Sequence, residues 1–352
     1  MADTFRARVD RAWADFARKE ADLRRLLQEG KGEELIAAIR ESLALCFTKI
    51  NFEIAVGERI RLILALEASM PMLFEIAYFA HHIPEDVAEH WEAVIGRQKM
   101  DTPRIDARWL GEVIRAEDTF FRARPGKGPF VGLEVWNRPL MKHWEEHQRG
   151  VRWMLGNMVD LAIGEAASMR FVSRFDVLTE FPEDGQTIDC LPQTLRDMGL
   201  DVDGEHLDKL VNGLRSYRMR PVIGAAVPLR GDISSGVTRL PGLLNGWATG
   251  DRSTFDDFAR DGVAAGFLCW SIDGLGKDAL GFRNTLASYL QQTAGPDAFA
   301  YMGGAEGLKY GYLDFLAWDL RPVLDEAGAF FRKAGRPGRY VPFVRENPKP
   351  KN

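Results

Sequence analysis

The chain opens on apolar residues spaced for a helix. Phe5, Val9, Trp13 and Phe16 recur at intervals of four, four and three, which sets them on one helical face. Asp3 or Thr4 stands where a cap is needed. Gly30 and Gly32 interrupt the pattern, and a second helix is predicted over 33–44. The period then turns to alternation. Residues 51–56 and 61–66 read as two strands joined at Gly57-Glu58, with Phe52, Ile54 and Val56 alternating in the first. A helix follows, with Pro71 in its first turn. Residues 91–95 form a further strand that Gly96 stops.

The spacing predicts a helix over 104–116 and a hairpin over 120–124 and 130–136, around Pro125-Gly126-Lys127-Gly128. Pro139 opens a long helix striped by Leu140, Trp144, His147, Val151, Leu155, Met158 and Ala162, with Gly150 and Gly156 as weak points. A strand over 171–178 follows, then helices over 191–198 and 204–216. The stretch 221–250 is irregular, with a strand near 222–227 and a helix near 240–248. Strands at 266–270, 298–302, 310–318 and 339–345 alternate with helices at 280–291 and 322–334. The tail 347–352 reads as frayed.

Such an order describes an α+β fold, with helices packed on antiparallel or mixed sheets. The 352 residues suit two domains. Phe181-Pro-Glu-Asp-Gly185 has the composition of an exposed link. The expected division is therefore an N-terminal α+β domain over 1–180 and a C-terminal one over 181–352. Strand, strand, helix, strand recurs in both halves without a residue-level repeat, so shared layering explains it better than duplication.

Composition narrows the function classes. Nine tryptophans and 21 phenylalanines supply a packed interior. A net charge of −5 argues against nucleic-acid and anionic-membrane partners. Cys46, Cys190 and Cys269 form no CxxC pair, which reads as buried, inert thiols rather than disulfides or a cysteine zinc site. No basic-then-apolar opening and no run of ~18 apolar residues is present, so a soluble, cytoplasmic protein is expected.

The sharpest chemical motif is His143-Trp-Glu-Glu-His147, which fits the H-x-x-E-H spacing of inverted zinc peptidases. On a regular helix His143 and His147 lie one turn apart with Glu146 beside them. Two imidazoles can hold zinc there, and the carboxylate can activate the metal-bound water. Against it, His147 falls on the apolar stripe, and Glu165 and Glu205 are merely available as a third ligand. His81-His82 and His90 read as helix-end residues.

A second set of charges lies among apolar residues: Glu165, Arg170, Arg174, Asp176, Asp314 and Asp319. Buried and paired they form a structural network, and lining a cleft they form a site. The structural reading carries more weight, because most buried pairs are not catalytic. Gly303-Gly-Ala-Glu-Gly307 lacks both the P-loop ending and the dinucleotide order, and reads as a tight turn or bulge. Asp273-Gly-Leu-Gly-Lys277 reads as a turn. No nucleophile elbow is present and no cysteine has an activating context, so no cofactor is expected.

Leu161-Ala-Ile-Gly-Glu165, Arg170-Phe-Val-Ser-Arg-Phe-Asp-Val177, and Gly303-Gly-Ala-Glu-Gly307 with Tyr312-Leu-Asp-Phe315 resemble an uncharacterised bacterial protein family without assigned activity, and the resemblance extends to 91–95. It implies a small, soluble bacterial protein and brings no catalytic residue. The leading expectation is a non-catalytic interaction protein, immunity-like or accessory, whose partner is another protein. The alternatives are a metal-dependent hydrolase built on His143, Glu146 and His147, and a small-molecule-binding protein with its pocket between the domains.

Overall fold

The computed structural model describes residues 3–100, 105–224 and 227–345. Helix α1 (Phe5–Gln28) buries the predicted face of Phe5, Val9, Trp13 and Phe16. The Thr4 hydroxyl caps it, accepting from the Ala7 amide at 3.3 Å. Helix α2 (Gly32–Ala44) packs back along α1. Strands β1 (Phe52–Val56) and β2 (Ile60–Leu64) form the expected hairpin, and α3 (Met70–His81) and a short α4 (Glu85–Ala88) lead to β3 (Trp91–Ile95). Next come β4 (Asp106–Trp109), β5 (Glu112–Arg115), β6 (Thr119–Pro125) and β7 (Val131–Asn137). Helices α5 (Arg138–Met141), α6 (Trp144–Ile163) and α7 (Glu165–Phe171) precede β8 (Val172–Val177) and β9 (Gln186–Thr187). Two short helices, α8 (Leu191–Asp197) and α9 (His206–Asn212), lead to β10 (Arg215–Arg218) and β11 (Ile233–Thr238). The chain then runs through α10 (Pro241–Thr249), α11 (Ser253–Asp261), β12 (Ala264–Ser271), α12 (Ala279–Thr293), β13 (Phe299–Gly307), β14 (Tyr310–Ala317), α13 (Leu320–Lys333) and β15 (Gly338–Pro342). The fold is α+β, as the alternation of periods implied.

The differences from the sequence reading have local causes. The helix expected over 104–116 is a hairpin from residue 106 onward, and residue 104 lies outside the described residues. Leu110 and Gly111 both take positive φ, 47° and 80°, which is the two-residue turn that suits a tight hairpin. The helix expected over 204–216 stops at Asn212 and gives way to β10. No strand occupies 222–224, whereas β11 and α11 went unpredicted; residues 225–226 of that expected strand, and the tail 347–352, lie outside the described residues. Cys190 is exposed rather than buried, at the entry to α8, while Cys46 and Cys269 are buried. The glycine run Gly303–Gly307 sits within β13 beside a bulge, where Gly303 takes φ 134°. A Cβ there would lie 2.1 Å from the Val237 carbonyl oxygen, so only glycine fits.

The described residues fall into two compact units that interleave along the chain. One comprises 3–50, 81–89, 212–224 and 227–345. Its six-stranded sheet has the order β10-β11-β13-β14-β12-β15. Neighbours pair antiparallel throughout. One face packs Leu268, Trp270, Leu313 and Phe315 against Leu286 and Leu290 of α12 and Val323, Ala327 and Phe331 of α13. Alternation turns Phe267, Tyr312 and Asp314 to the other face. There Trp247 of α10 meets the Phe267 ring at 5.3 Å. The start of α1 is tied to this unit by Phe5 N–H to Gly262 O at 3.1 Å and Arg6 N–H to Trp318 O at 3.0 Å.

The second unit comprises 51–80, 90–100 and 105–211. It holds the sheet β1-β2-β3, the hairpin β4-β5 and the sheet β8-β7-β6-β9. The β2–β3 and β7–β8 pairs are parallel. Val151, Leu155, Met158 and Val159 of α6 pack on Phe121, Leu133 and Val135 of β6 and β7. The segment 181–185 lies inside this unit, where Phe181 meets Phe120 at 5.0 Å and Trp136 at 5.1 Å. Among the described residues, no helix is long and apolar enough to cross a membrane.

Candidate functional site

His143 and His147 do not share a regular helix. His143 stands at the N-cap of α6, and His147 leaves helical geometry at φ −132°, ψ 36°. Their ring centroids lie 6.4 Å apart, and both rings meet the edge or face of Trp109, at 6.1 and 5.9 Å. The nearest carboxylates are Glu112, 3.7 Å from His143 Nε2, and Glu146, 4.0 Å from His147 Nε2. Among the described residues no group of three His, Cys, Asp or Glu side chains is arranged to hold a metal ion. The histidines instead flank an aromatic contact that depends on Gly150: a Cβ there would lie 2.3 Å from the Trp109 ring.

Glu165 does form a network, but with Arg97 rather than with Arg170 or Arg174. Its two carboxylate oxygens accept the backbone N–H of Glu67 at 2.7 Å and of Arg97 at 2.9 Å. Those amides follow the parallel strands β2 and β3, so one carboxylate fastens both strand exits. Just past β2, Glu67 and Ala68 take left-handed φ of 52° and 54°. The Arg97 guanidinium donates to Glu53 at 2.7 Å and lies 3.6 Å from Glu165. Burial works against its charge, but Glu53, Glu165 and Glu67 outweigh that and hold it protonated. Asp160, near the end of α6, is pushed up to about 7 by burial and by the charge of Glu165, against a hydrogen bond from Ser168. Arg170 lies 3.4 Å from His206 Nδ1 and over the Phe171 ring. Burial and then the Arg170 charge push the His206 imidazole down, toward its neutral form. Arg174 and Asp176 pair with each other at the surface. Asp319 caps α13 by accepting from the Arg321 amide.

Asp314 belongs to a separate network in the other unit. Arg230 donates to both its oxygens, at 2.6 and 3.2 Å. The guanidinium lies over the rings of Phe267, Phe343 and Tyr312, with centroids at 4.8, 4.8 and 5.2 Å. The Arg230 amide donates to the Tyr312 hydroxyl at 3.0 Å, and that hydroxyl donates to Asp232. Asp232 also accepts the amides of Lys309 and Tyr310, at 3.0 and 2.9 Å, which fastens the loop before β11 to the β13–β14 turn. Tyr217 of β10 reaches the edge of the network, 3.4 Å from Arg230, and is pushed up to about 12 by burial and by Asp314.

A groove of about 270 Å³ opens beside this network. Tyr217, Met219, Val222, Leu229, Leu244 and Trp247 supply its walls, with Arg230 beneath and Arg345 at the rim. The groove runs beside β10, which ends the six-stranded sheet and, among the described residues, pairs only with β11. Met219 N–H bonds to Ser234 O at 3.0 Å, so the antiparallel pattern turns the backbone N–H and C=O of Ser216 and Arg218 to the open side. Beyond β10 the chain exposes Met219, Val222 and Ile223, the last at 86%. Lys309 Nζ donates to Gly224 O at 3.1 Å.

Asp314 was legible as a charged residue among apolar ones. Arg230, Tyr217 and Asp232 were not singled out, because they stand in or beside the least regular stretch. The available signal is glycine: a Cβ at Gly236 would lie 2.5 Å from the Tyr217 ring, and one at Gly307 2.1 Å from the Asp232 carboxylate. Comparison with protein-family models, curated proteins and solved structures finds no match to this chain.

Proposed function

We propose that this chain is a non-catalytic binding protein that takes up an extended segment of another protein along the open edge of β10. The observation that carries the reading is the coincidence of three features at one place. Ser216 and Arg218 offer backbone groups with no partner among the described residues, a groove runs beside the strand, and apolar Met219, Val222 and Ile223 are exposed next to both. Exposed sheet edges recruit strands, and proteins usually blunt them when no partner is intended. Contiguous exposed apolar residues mark interaction surfaces. The tightly fastened Arg230–Asp314–Tyr312–Asp232 cluster holds the wall of the groove rigid, which reduces the entropy lost on binding. Free Cys46, Cys190 and Cys269 suit a reducing, cytoplasmic setting.

Peptides selected from a random displayed library against the intact chain test the reading. Selected peptides are expected to slow hydrogen exchange at the Ser216 and Arg218 amides. Ser216→Pro removes an outward N–H without touching the β10–β11 ladder, so it is expected to abolish binding and leave the melting temperature within a few degrees. Tight binders that leave those two amides unprotected would overturn the proposal.

A further inference from the structure

The groove also specifies the kind of segment that fits, if β10 is the docking edge as proposed above. We infer that the partner segment is acidic and carries one bulky apolar side chain, aromatic for preference, that seats in the groove beside Tyr217 and Trp247.

Three observations lead there. The first is size. At about 270 Å³ the groove is smaller than the pockets that enclose drug-sized ligands, which suits a single side chain. The second is its walls. Met219, Val222, Leu229 and Leu244 are apolar, and the rings of Tyr217 and Trp247 offer edges and faces to an aromatic guest. Its one deep charge, Arg230, is already held by Asp314 and covered by three rings, so it recruits no ion of its own. The third is the sign of the surroundings. No acidic residue lines the groove among the described residues. Exposed Arg345 lines it, Arg215 and Arg218 are exposed along β10, Arg220 is exposed just past its end, and none of the four makes an ion pair among the described residues.

The register sharpens the inference. Side chains alternate along a strand, so Arg215, Tyr217 and Met219 share the groove face and Arg218 points to the opposite one. A strand laid along β10 repeats that alternation. Its groove-facing residues meet Tyr217 and Met219 with Arg215 and Arg345 close by, and its outward residues meet Arg218. Acidic residues therefore fit on both parities, with the apolar anchor on the groove-facing one.

The test uses fluorescence anisotropy of labelled acidic peptides about ten residues long, with alternating threonines and one central Trp, added to the full chain. Replacing the Trp by Ala is expected to weaken binding at least about tenfold, the order of burying one large apolar side chain. Replacing the acids by Lys, or raising salt from about 0.05 to about 0.5 M, is expected to weaken it comparably. Val222→Asp at the groove rim is expected to reproduce the loss of the anchor, and Arg215→Glu with Arg345→Glu to reproduce the loss of charge. Equal binding of the Trp and Ala peptides, with sensitivity to Ser216→Pro retained, overturns this inference and leaves the β10 reading standing. Binding insensitive to Ser216→Pro, equal capture of single-stranded DNA, or no binding by any peptide overturns both.

Discussion

Arg230 and Asp314 meet through two hydrogen bonds with both side chains only 2% exposed, 84 residues apart in sequence. Burial alone would oppose the guanidinium charge, and the carboxylate reverses that. The pair is therefore safe only while it is complete. Asp314→Asn keeps the shape and removes the charge, so it leaves a buried cation uncompensated. A loss of about 3–5 kcal/mol is expected in urea unfolding. The double replacement Arg230→Met with Asp314→Leu should cost less than the single change, because no charge is then left stranded. A single variant that unfolds at the wild-type urea concentration would show that water or another group compensates Arg230.

That pairing also marks how far the sequence could be read. Asp314 was visible because Leu313 and Phe315 enclose it in a strand pattern. Its partner was not, because Arg230 sits in a turn at φ 62°, and nothing local says which of many arginines reaches a given aspartate. Glu165 repeats the case: its place among apolar residues marks it, while Arg97 and the two backbone amides it binds come from other elements. Elements with a long, clean period, such as α1, α12, α13 and the β6–β7 hairpin, were legible. Short elements set by turn geometry, such as β4–β5 and β10, were not, because the deciding signal is one or two residues with positive φ or an edge position.

Glu165 is expected to act as a structural clamp. Glu165→Ala frees the Glu67 and Arg97 amides and removes a carboxylate from beside buried Arg97. Amide exchange should accelerate first at Glu67 and Arg97, and global stability should fall by about 3 kcal/mol or more. Unchanged exchange at both amides would remove the clamp role.

Gly150 is expected to be required by its neighbour rather than by its backbone. A methyl group at 150 would collide with the Trp109 ring, and Trp109 is held on its other sides by His143 and His147. Gly150→Ala should therefore destabilise by about 1–3 kcal/mol despite alanine's better helix propensity. The double variant Gly150→Ala with Trp109→Leu should recover part of the loss. Thermal unfolding of the two proteins, followed by tryptophan fluorescence, gives the comparison. A stabilised single variant would show that Trp109 moves aside freely.

Asp160 gives the unit built on α6 a pH dependence of defined sign. Its carboxyl is pushed up from the ordinary 3.8 to about 7, first by burial and then by Glu165, with Ser168 and Arg97 opposing. Between those two values the folded chain keeps a proton that the unfolded chain has released. The favourable contribution is thus fully present below about pH 4 and is lost as pH rises through about 7. The full swing is on the order of a few kcal/mol, at about 1.4 kcal/mol for each unit of separation. Asp160→Asn fixes the neutral form and keeps an acceptor for the Ser168 hydroxyl. The variant should match the wild type near pH 4 and exceed it in stability near pH 8, so its urea midpoint should vary less with pH. Parallel profiles for the two proteins across that range would mean that Asp160 ionises as freely in the folded chain as in the unfolded one. In that case Arg97, and not Glu165, would dominate its surroundings.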